Sequence, residues 1–247
     1  MYEYNVRIAD HVIRIAAIYI QTGVSLKDYL TEEEAEFRIE MSDGDIRREW
    51  RRMLESPRYS SDFVNRLPGY YFENFALNRK VSDALLKYDT IAFHGSAVTV
   101  DGACSIFAAD SGVGKSTYAR MWAKHFGSRA HVLNDDKPFL HITPQEITVY
   151  GSPWDGKHHV GQNEKAPLKN VCFLHRAERS DVCRMAEEEA LDRICYQVFR
   201  PDRQEDFDRA MELLRIMAKT VPFYEVGFTL NSAEITNVYQ NLTGGNA

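Results

Sequence analysis

Alternating apolar and polar positions predict strands in two segments near the start of the chain. Residues 2–20 alternate loosely and indicate one or two strands. Residues 35–41 alternate more cleanly, as a half-buried strand does. A helix is expected over residues 43–54, and apolar side chains near helical spacing predict an amphipathic helix over residues 70–87.

A polar stretch that contains prolines, residues 56–69, separates these two helices. Proline, glycine and polar residues are typical of a connecting segment. We therefore expect a small β-rich cap over residues 1–68 and a larger domain over residues 69–247.

The middle of the chain carries a strong hairpin signal. A strand is predicted over residues 91–100, and Asp101-Gly102 is a two-residue turn that leads into a buried strand over residues 103–108. A helix over residues 118–126 and a short strand over residues 130–133 follow. Since a hairpin makes its strands antiparallel, the pattern predicts an α/β fold with a mixed sheet and not a doubly wound parallel sheet.

The last third continues with strands and helices in turn. A hairpin over residues 138–143 and 146–150 flanks Pro144-Gln145, and a loop rich in glycine and cations follows over residues 151–159. The remaining patterns predict strands over residues 169–174, 182–185 and 222–226, and helices over residues 187–199, 205–219 and 232–242.

A phosphate loop is the main chemical signal of the sequence. It matches the pattern G-x-x-x-x-G-K-[ST] except at the first glycine, and its residues are Ala109, Asp110, Ser111, Gly112, Val113, Gly114, Lys115, Ser116 and Thr117. A strand before it and a helix after it are the context in which such loops bind phosphates with backbone N–H groups. The loop therefore predicts ATP binding. Because alanine resists positive φ, a loop that needs glycine at position 109 would be strained. A plain glycine turn is the alternative interpretation.

Phosphoryl transfer also needs a metal ion and a carboxylate. Lys115 would reach the β- and γ-phosphates, and the Ser116 hydroxyl would bind Mg²⁺ together with a carboxylate from elsewhere in the chain. Asp135 and Asp136 follow the predicted strand 130–133, at the end of a strand where ligands of α/β sheets collect. An ordinary acidic turn is the alternative for this pair.

Three segments in this order, His94-Gly95, the loop Ala109–Ser116 and the pair Asp135-Asp136, resemble the kinase core of the bacterial HPr kinase/phosphorylases. Those enzymes are protein-serine kinases whose fold is related to that of phosphoenolpyruvate carboxykinase. The resemblance covers roughly residues 85–180. It implies a P-loop carboxykinase-like core and Mg-ATP as the cofactor. HPr kinases assemble as hexamers, but their amino-terminal domain has no counterpart here, so the formation of a homo-oligomer stays open.

The same resemblance implies roles for single residues. Asp135 would be the base that takes the proton from the attacking hydroxyl, Asp136 would hold Mg²⁺, and the order could be reversed. His94 would belong to the active site, with a structural histidine as the alternative. Lys157 and Arg176 are candidates for stabilising the transferring group, against ordinary surface charge.

The sequence also departs from the family. HPr kinases carry a Leu-Glu-Ile-Arg-Gly-like segment after the acidic pair, which supplies a metal-binding glutamate. Here the residues from Tyr150 to His158 occupy that place, and Trp154, His158 and His159 are candidates for shaping an acceptor pocket. This departure leaves the substrate and any phosphorylase activity open, and the chain looks closer to small HPr-kinase-like proteins, some of which resemble peptide-tailoring kinases.

Composition narrows the partners. The net charge of −6 is spread evenly along the chain, so we expect neither nucleic acid nor a membrane as a partner. The four cysteines lack paired C-x-x-C spacing, and the chain opens without a signal peptide, which favours free thiols and a cytoplasmic location. Four arginines on the helix 43–54, Arg47, Arg48, Arg51 and Arg52, are either a solvated face or a dock for an acidic substrate.

The leading hypothesis is a kinase that transfers the γ-phosphate of ATP to a hydroxyl, by resemblance a serine of a protein or peptide. A kinase for a small hydroxylated metabolite is the second hypothesis, because the altered segment at residues 150–158 permits one. The third is a module that binds ATP as a sensor and transfers nothing.

Overall fold

The computed structural model describes residues 1–110 and 112–244 and shows a mixed α/β protein. It divides into two compact units, Met1–Leu85 and the residues from Leu86 onward. The expected division into a cap over 1–68 and a domain over 69–247 remains a prediction. Among the described residues, no helix has both the length and the apolar character to cross a membrane.

The first unit is a small sheet with four helices. Strand β1 (Tyr2–Ile8) pairs antiparallel with β2 (His11–Ala17), and β3 (Phe37–Glu40) pairs parallel with the other side of β2. The helices are α1 (Gln21–Leu26), α2 (Asp43–Glu55), α3 (Ser61–Arg66) and α4 (Gly69–Leu86). The predicted β-rich start, the third strand and both helices are thus present in this part of the chain.

The arginines of α2 divide into two pairs. Arg48 and Arg52 form ion pairs with Asp45 and Glu49, two acids of the same helix that are almost fully buried. Arg47 and Arg51 are exposed. Half of the predicted arginine face therefore neutralises buried carboxylates, which favours the interpretation as a solvated helix face for that half.

The second unit contains nine strands and four helices in the residues that the structure describes. The strands are β4 (Thr90–Ala92), β5 (Ser96–Val100), β6 (Ala103–Ala108), β7 (Ala130–Asn134), β8 (Phe139–Ile142), β9 (Ile147–Tyr150), β10 (Lys165–Arg176), β11 (Asp181–Arg184) and β12 (Phe223–Phe228). The helices are α5 (Lys115–Phe126), α6 (Glu187–Ile194), α7 (Gln204–Thr220) and α8 (Ile235–Thr243). The predicted hairpin over 138–150 is confirmed as β8 and β9, which pair antiparallel.

Strand β5 lies between β6 and β7 and runs antiparallel to both. The turn from β5 to β6 is formed by Asp101 (φ 52°) and Gly102 (φ 79°), both left-handed, as a type I′ turn requires. The predicted hairpin and mixed sheet are therefore confirmed. Because β6 and β7 share an antiparallel neighbour, they run in the same direction and end at the same edge of the sheet.

Strand β10 joins the two halves of this sheet. Its first residues pair antiparallel with β9, whereas its later residues pair parallel with β6 on one side and with β12 on the other. The register shifts at Leu168/Asn170, where β10 changes partners. The sheet order is β4-β8-β9-β10-β6-β5-β7, and β12 and β11 extend it from β10.

An aromatic cluster supports helix α5 on this sheet. The rings of Phe107, Tyr118 and Trp122 lie 5.0 to 6.0 Å apart in edge-to-face contacts, and Phe228 lies 4.9 Å from Tyr118. All four side chains are almost completely buried, and burial of this kind stabilises a fold by about 1.5–3 kcal/mol per large apolar side chain. These ring contacts hold helix α5, which follows the phosphate loop, against the sheet.

The predicted strand over 91–100 is wrong as one continuous element. It breaks after Ala92, because β4 pairs with β8 while β5 pairs with β6 and β7. Gly95 lies in the break, where a Cβ would stand 2.7 Å from Ile106 Cγ2 and 3.1 Å from the Phe107 carbonyl oxygen. His94 thus precedes the strand beside the phosphate-loop strand instead of lying within it.

The cysteines are free thiols, as the sequence predicted. Cys104 and Cys172 are completely buried, and burial raises the pKa of both thiols. Cys183 is exposed.

Gly151 offers a test of the packing around β9. A Cβ at this position would lie 1.8 Å from the Gln162 carbonyl oxygen, a backbone atom that cannot move aside. We expect Gly151→Ala to lower the free energy of unfolding by about 3 kcal/mol or more, at the upper end for overpacking. Gly102→Ala, with open space around it but a φ of 79°, should cost only about 1–2 kcal/mol for the left-handed backbone. Calorimetric unfolding of both variants measures the difference, and equal stability of the two would contradict this packing.

Candidate active site

The phosphate loop connects β6 to helix α5. Gly112 has a φ of 87° and Gly114 a φ of 126°, both in the range that glycine tolerates and other residues do not. Helix α5 begins at Lys115, directly after Gly114. The predicted loop residue Ser111 lies outside the described residues. The others form a turn that points towards the amino-terminal end of a twelve-residue helix.

Ala109 does not show the strain that its replacement of glycine predicts. It is buried, and it is absent from the residues with positive φ. The left-handed conformations fall on the two later glycines instead. The first position of this loop therefore accepts alanine without cost to the backbone.

Lys115 is buried and folds back over the loop. Its Nζ donates a hydrogen bond to the Ala109 carbonyl oxygen at 2.8 Å and lies 3.4 Å from the Asp110 carbonyl oxygen. The ammonium group is thus held within the loop that it would serve. A lysine in this position neutralises phosphate charge next to the helix terminus.

The two aspartates follow β7 at the edge where β6 also ends. Asn134, the last residue of β7, pairs with Ala97 of β5, and Phe107 near the end of β6 pairs with Ser96. The Asn134 side chain then shapes the turn, because its Oδ1 accepts hydrogen bonds from the backbone N–H groups of Asp136 (3.0 Å) and Lys137 (2.7 Å). Asp135 and Asp136 are therefore held at fixed positions beside the loop.

Asp135 is the buried member of the pair. Its Oδ1 accepts a hydrogen bond from the Ser96 hydroxyl at 3.0 Å. Burial raises the pKa of the Asp135 carboxyl above its ordinary value, and the nearby hydroxyls of Ser96 and Ser116 and the charge of Arg120 only partly oppose that rise. Asp135 therefore lies in the buried part of the site, near the predicted metal-binding serine.

Asp136 is the more exposed member, with 38% of its side chain accessible. Its Oδ1 lies 3.4 Å from His94 Nε2 and 3.5 Å from Lys137 Nζ. The Gly95 backbone N–H donates a hydrogen bond to the Asp136 carbonyl oxygen at 3.1 Å, which ties the His94-Gly95 break to the acidic turn. The predicted proximity of His94 to the acidic pair is observed.

The loop after β9 closes the site from the other side. Ser152 and Trp154 anchor it, because the Ser152 hydroxyl donates to the Lys137 carbonyl oxygen (2.6 Å) and the Lys137 N–H donates to the Trp154 carbonyl oxygen (3.0 Å). Gly156 lies close to the acids, since a Cβ there would stand 3.3 Å from Asp136 Cβ. This anchoring carries Lys157 and His158 to the rim of the site.

Together these segments enclose a cleft of about 650 Å³. It is lined by His94, Gly112, Gly114, Lys115, Ser116, Thr117, Arg120, Asp135, Asp136, Gly156, Lys157 and His158. Three cationic side chains face two carboxylates there, although the whole chain carries a net charge of −6. An acidic protein thus concentrates positive charge at the place where a phosphate group would bind.

Arg176 lies outside this cleft. It ends β10, on the opposite side of β6 from the aspartates, and its Nη2 lies 3.8 Å from where a Cβ of Gly114 would stand. Its guanidinium stacks over the Phe228 ring at 5.8 Å. Arg176 therefore neighbours the phosphate loop but does not line the cleft.

Arg120 is the cleft residue that the sequence analysis missed. It follows Ser116 by four residues on α5, a spacing that places two side chains on the same face of a helix. That spacing was readable from the sequence once the loop and the helix had been recognised. Ser96, which holds Asp135, offered no comparable signal, because only the pairing of β5 brings it to the acid.

The residues present suit Mg²⁺ at Ser116 and Asp135. Mg²⁺ prefers oxygen ligands and usually takes one or two carboxylates together with the phosphates of its substrate. The Ser116 hydroxyl and the Asp135 carboxylate line the same cleft and supply such oxygen donors. A site made of protein ligands alone is a different matter, since no group of three or more histidine, cysteine or acidic residues gathers around one point in the described part of the chain.

The raised pKa of Asp135 predicts that its charge destabilises the fold. Because the folded pKa lies above the unfolded one, the penalty is full at pH values above the folded pKa and disappears as the pH falls below the unfolded pKa. We expect Asp135→Asn to raise the melting temperature at about pH 7.5 in the presence of a chelator, with the gain vanishing near pH 3–4. Asp192→Asn, at an exposed position, is the control. A lower melting temperature for Asp135→Asn at neutral pH would contradict the assignment.

Comparisons with known proteins add little to this geometry. No protein-family model matches the chain, and no curated protein matches it. Among solved structures, the chain is similar to the Hpr(Ser) kinase/phosphatase from Coxiella burnetii, with 7% sequence identity, a TM-score of 0.36, and coverage of 62% of this chain and 94% of that one.

Proposed function

We propose that this protein is a Mg-ATP-dependent kinase that transfers the γ-phosphate to a hydroxyl group, that of a serine in a protein or peptide. The observation that carries the proposal is the meeting of a phosphate loop with an acid pair in one cleft. Lys115 and Ser116 of the loop line the same space as Asp135, Asp136 and His94. The choice of serine as the acceptor comes from the sequence resemblance alone.

The backbone N–H groups of the loop and the start of α5 would bind the phosphates. Lys115 would leave its contact with the loop carbonyls and neutralise charge on the β- and γ-phosphates. Mg²⁺, when bound, would supply positive charge that offsets the charge developing on the phosphates during transfer. Ser116 and Asp135 would hold it, because their oxygens line the same cleft.

Asp136 is then the better candidate for the base. Of the two orders that the sequence left open, the contacts favour this one, since Asp136 is accessible from the cleft and pairs with His94, whereas Asp135 faces the loop serine. Asp136 would accept the proton of the attacking hydroxyl as the new O–P bond forms and the bond to the β-phosphate oxygen breaks, releasing ADP. Lys157, on the rim, would stabilise the charge on the transferring group.

The first test is nucleotide binding followed by transfer. We expect Lys115→Ala to weaken ATP binding by at least about 100-fold in calorimetric titrations, because a buried charge-assisted contact is lost. Lys124→Ala, on an exposed part of the same helix, should bind as the wild type does. Label from γ-labelled ATP should then appear on serine-containing peptides. Label on small hydroxylated metabolites alone would reject the peptide acceptor, and tight binding without any transfer would indicate a sensor.

The second test separates the two acids. Asp136→Asn should keep Mg-dependent ATP affinity within about 3-fold and slow transfer by about 10²–10⁴-fold, the usual effect of removing a general base. Asp135→Asn should instead weaken ATP binding in Mg²⁺ while leaving the affinity measured in chelator unchanged. The opposite pattern, with Asp135→Asn silent in binding and inactive in transfer, would restore Asp135 as the base.

A further inference from the structure

The guanidinium group of Arg120 is only partly paired with the described residues around it. Its side chain is 37% exposed, yet its Nη1 is buried and has no hydrogen-bond partner among the described residues. The nearest carboxylate oxygen, Asp135 Oδ2, lies 3.8 Å away, which allows an ion pair but is too long for a hydrogen bond. A buried N–H without an acceptor costs free energy, so its retention calls for a physical reason.

Contact with Asp135 alone does not explain this placement. Arg79, a counter-ion of the buried Glu49, approaches to hydrogen-bond distance, with its Nε 2.9 Å from Glu49 Oε1. The carboxylate of Asp135 already accepts a hydrogen bond from the Ser96 hydroxyl. Arg120 is therefore held short of the acid, with an N–H group left for another acceptor.

The position of Arg120 indicates what that acceptor is. Side chains of a helix lean towards its amino-terminal end, so Arg120 lies over the turn that carries Ser116. Its Nη1 faces the end of β7, whereas the phosphate loop follows β6, and β5 separates these two strands. Lys115 and Ser116, which would contact the β- and γ-phosphates and their metal ion, line the same cleft as Arg120. The phosphate oxygens that Arg120 can reach are then those of the terminal phosphate.

We propose that Arg120 binds an oxygen of the terminal phosphoryl group of ATP and so acts, within the chain itself, as the arginine that stabilises the transferring group. This rests on the proposed kinase function and gives Arg120 the role for which the sequence suggested Arg176. The planar guanidinium is suited to phosphate oxygens, because its donors match their geometry. An arginine contributed by the same chain has a precedent in phosphoryl-transfer enzymes.

The test compares two nucleotides and needs no acceptor. A residue that contacts only the terminal phosphate should affect a non-hydrolysable ATP analogue and not ADP. We expect Arg120→Gln to weaken binding of Mg²⁺ and the analogue by about 10-fold or more in calorimetric titrations, the effect of losing a charge-assisted hydrogen bond, and to change ADP affinity by less than about 3-fold. Arg120→Lys should recover part of the lost affinity for the analogue, because lysine keeps the positive charge but not the planar set of guanidinium donors. Lys124→Ala should leave both affinities unchanged.

Fluoroaluminate gives a second measurement. With Mg-ADP it mimics the transferring group, so we expect the wild type to trap the complex and Arg120→Gln to lose it. Equal weakening of ADP and the analogue in Arg120→Gln, or no weakening of either, would overturn the proposal and reduce Arg120 to a counter-ion of Asp135. A wild type that binds neither nucleotide would instead reject the kinase function itself. If Arg120→Gln does not fold, Arg120→Lys decides by the same comparison.

Discussion

The antiparallel position of β5 between β6 and β7 is the constraint on which the site depends. Ladder hydrogen bonds along β5 fix the registers of both neighbours, so that Phe107 and Asn134 align with Ser96 and Ala97. The chain leaves β6 as a phosphate loop and leaves β7 as an acidic turn. Since both segments leave the sheet at one edge and at one level, Lys115 of the loop and the two carboxylates line one cleft without any long-range loop having to bring them together.

This arrangement places a buried carboxylate and an unpaired guanidinium N–H in the cleft, where the proposed reaction would use them. Asp135 is removed from water between Ser96 and Ser116, and Arg120 stands beside it without a hydrogen bond. Both features lower the stability of the protein without bound nucleotide, because buried charge and unpaired donors are destabilising. The aromatic packing of α5 on the sheet is a source of compensating stability, since Tyr118 and Trp122 are buried on the helix that carries Ser116 and Arg120. The packing of α5 outside the cleft thus offsets the unfavourable free energy of these charged groups inside it.

Features encoded by a few neighbouring residues could be predicted from the sequence. The Asp101-Gly102 turn and the glycines of the phosphate loop have side-chain and φ requirements that are local, and each appears where the sequence placed it. The first hairpin was harder, because its turn is Ala9-Asp10, both left-handed without glycine, so the sequence left one strand or two open. The break at His94-Gly95 could not be read locally, since apolar residues flank it on both sides and only the pairing of β4 with β8 interrupts the strand.

The same distinction explains why the residue set of the site was only partly predicted. Asp135 and Asp136 are adjacent in sequence, but their surroundings differ because Asp135 follows the sheet into the core and Asp136 turns outward to His94. Environments that separate two like groups commonly assign them different chemical tasks. Here the environment of Asp135 depends on Ser96, which lies 39 residues before it in the sequence. Arg176 shows the converse: the sequence placed it after a buried strand, but the position of β10 on the far side of β6 sends it to the other flank of the loop. A list of charged residues near a motif therefore does not define a site; the order of strands decides which of them share a cleft.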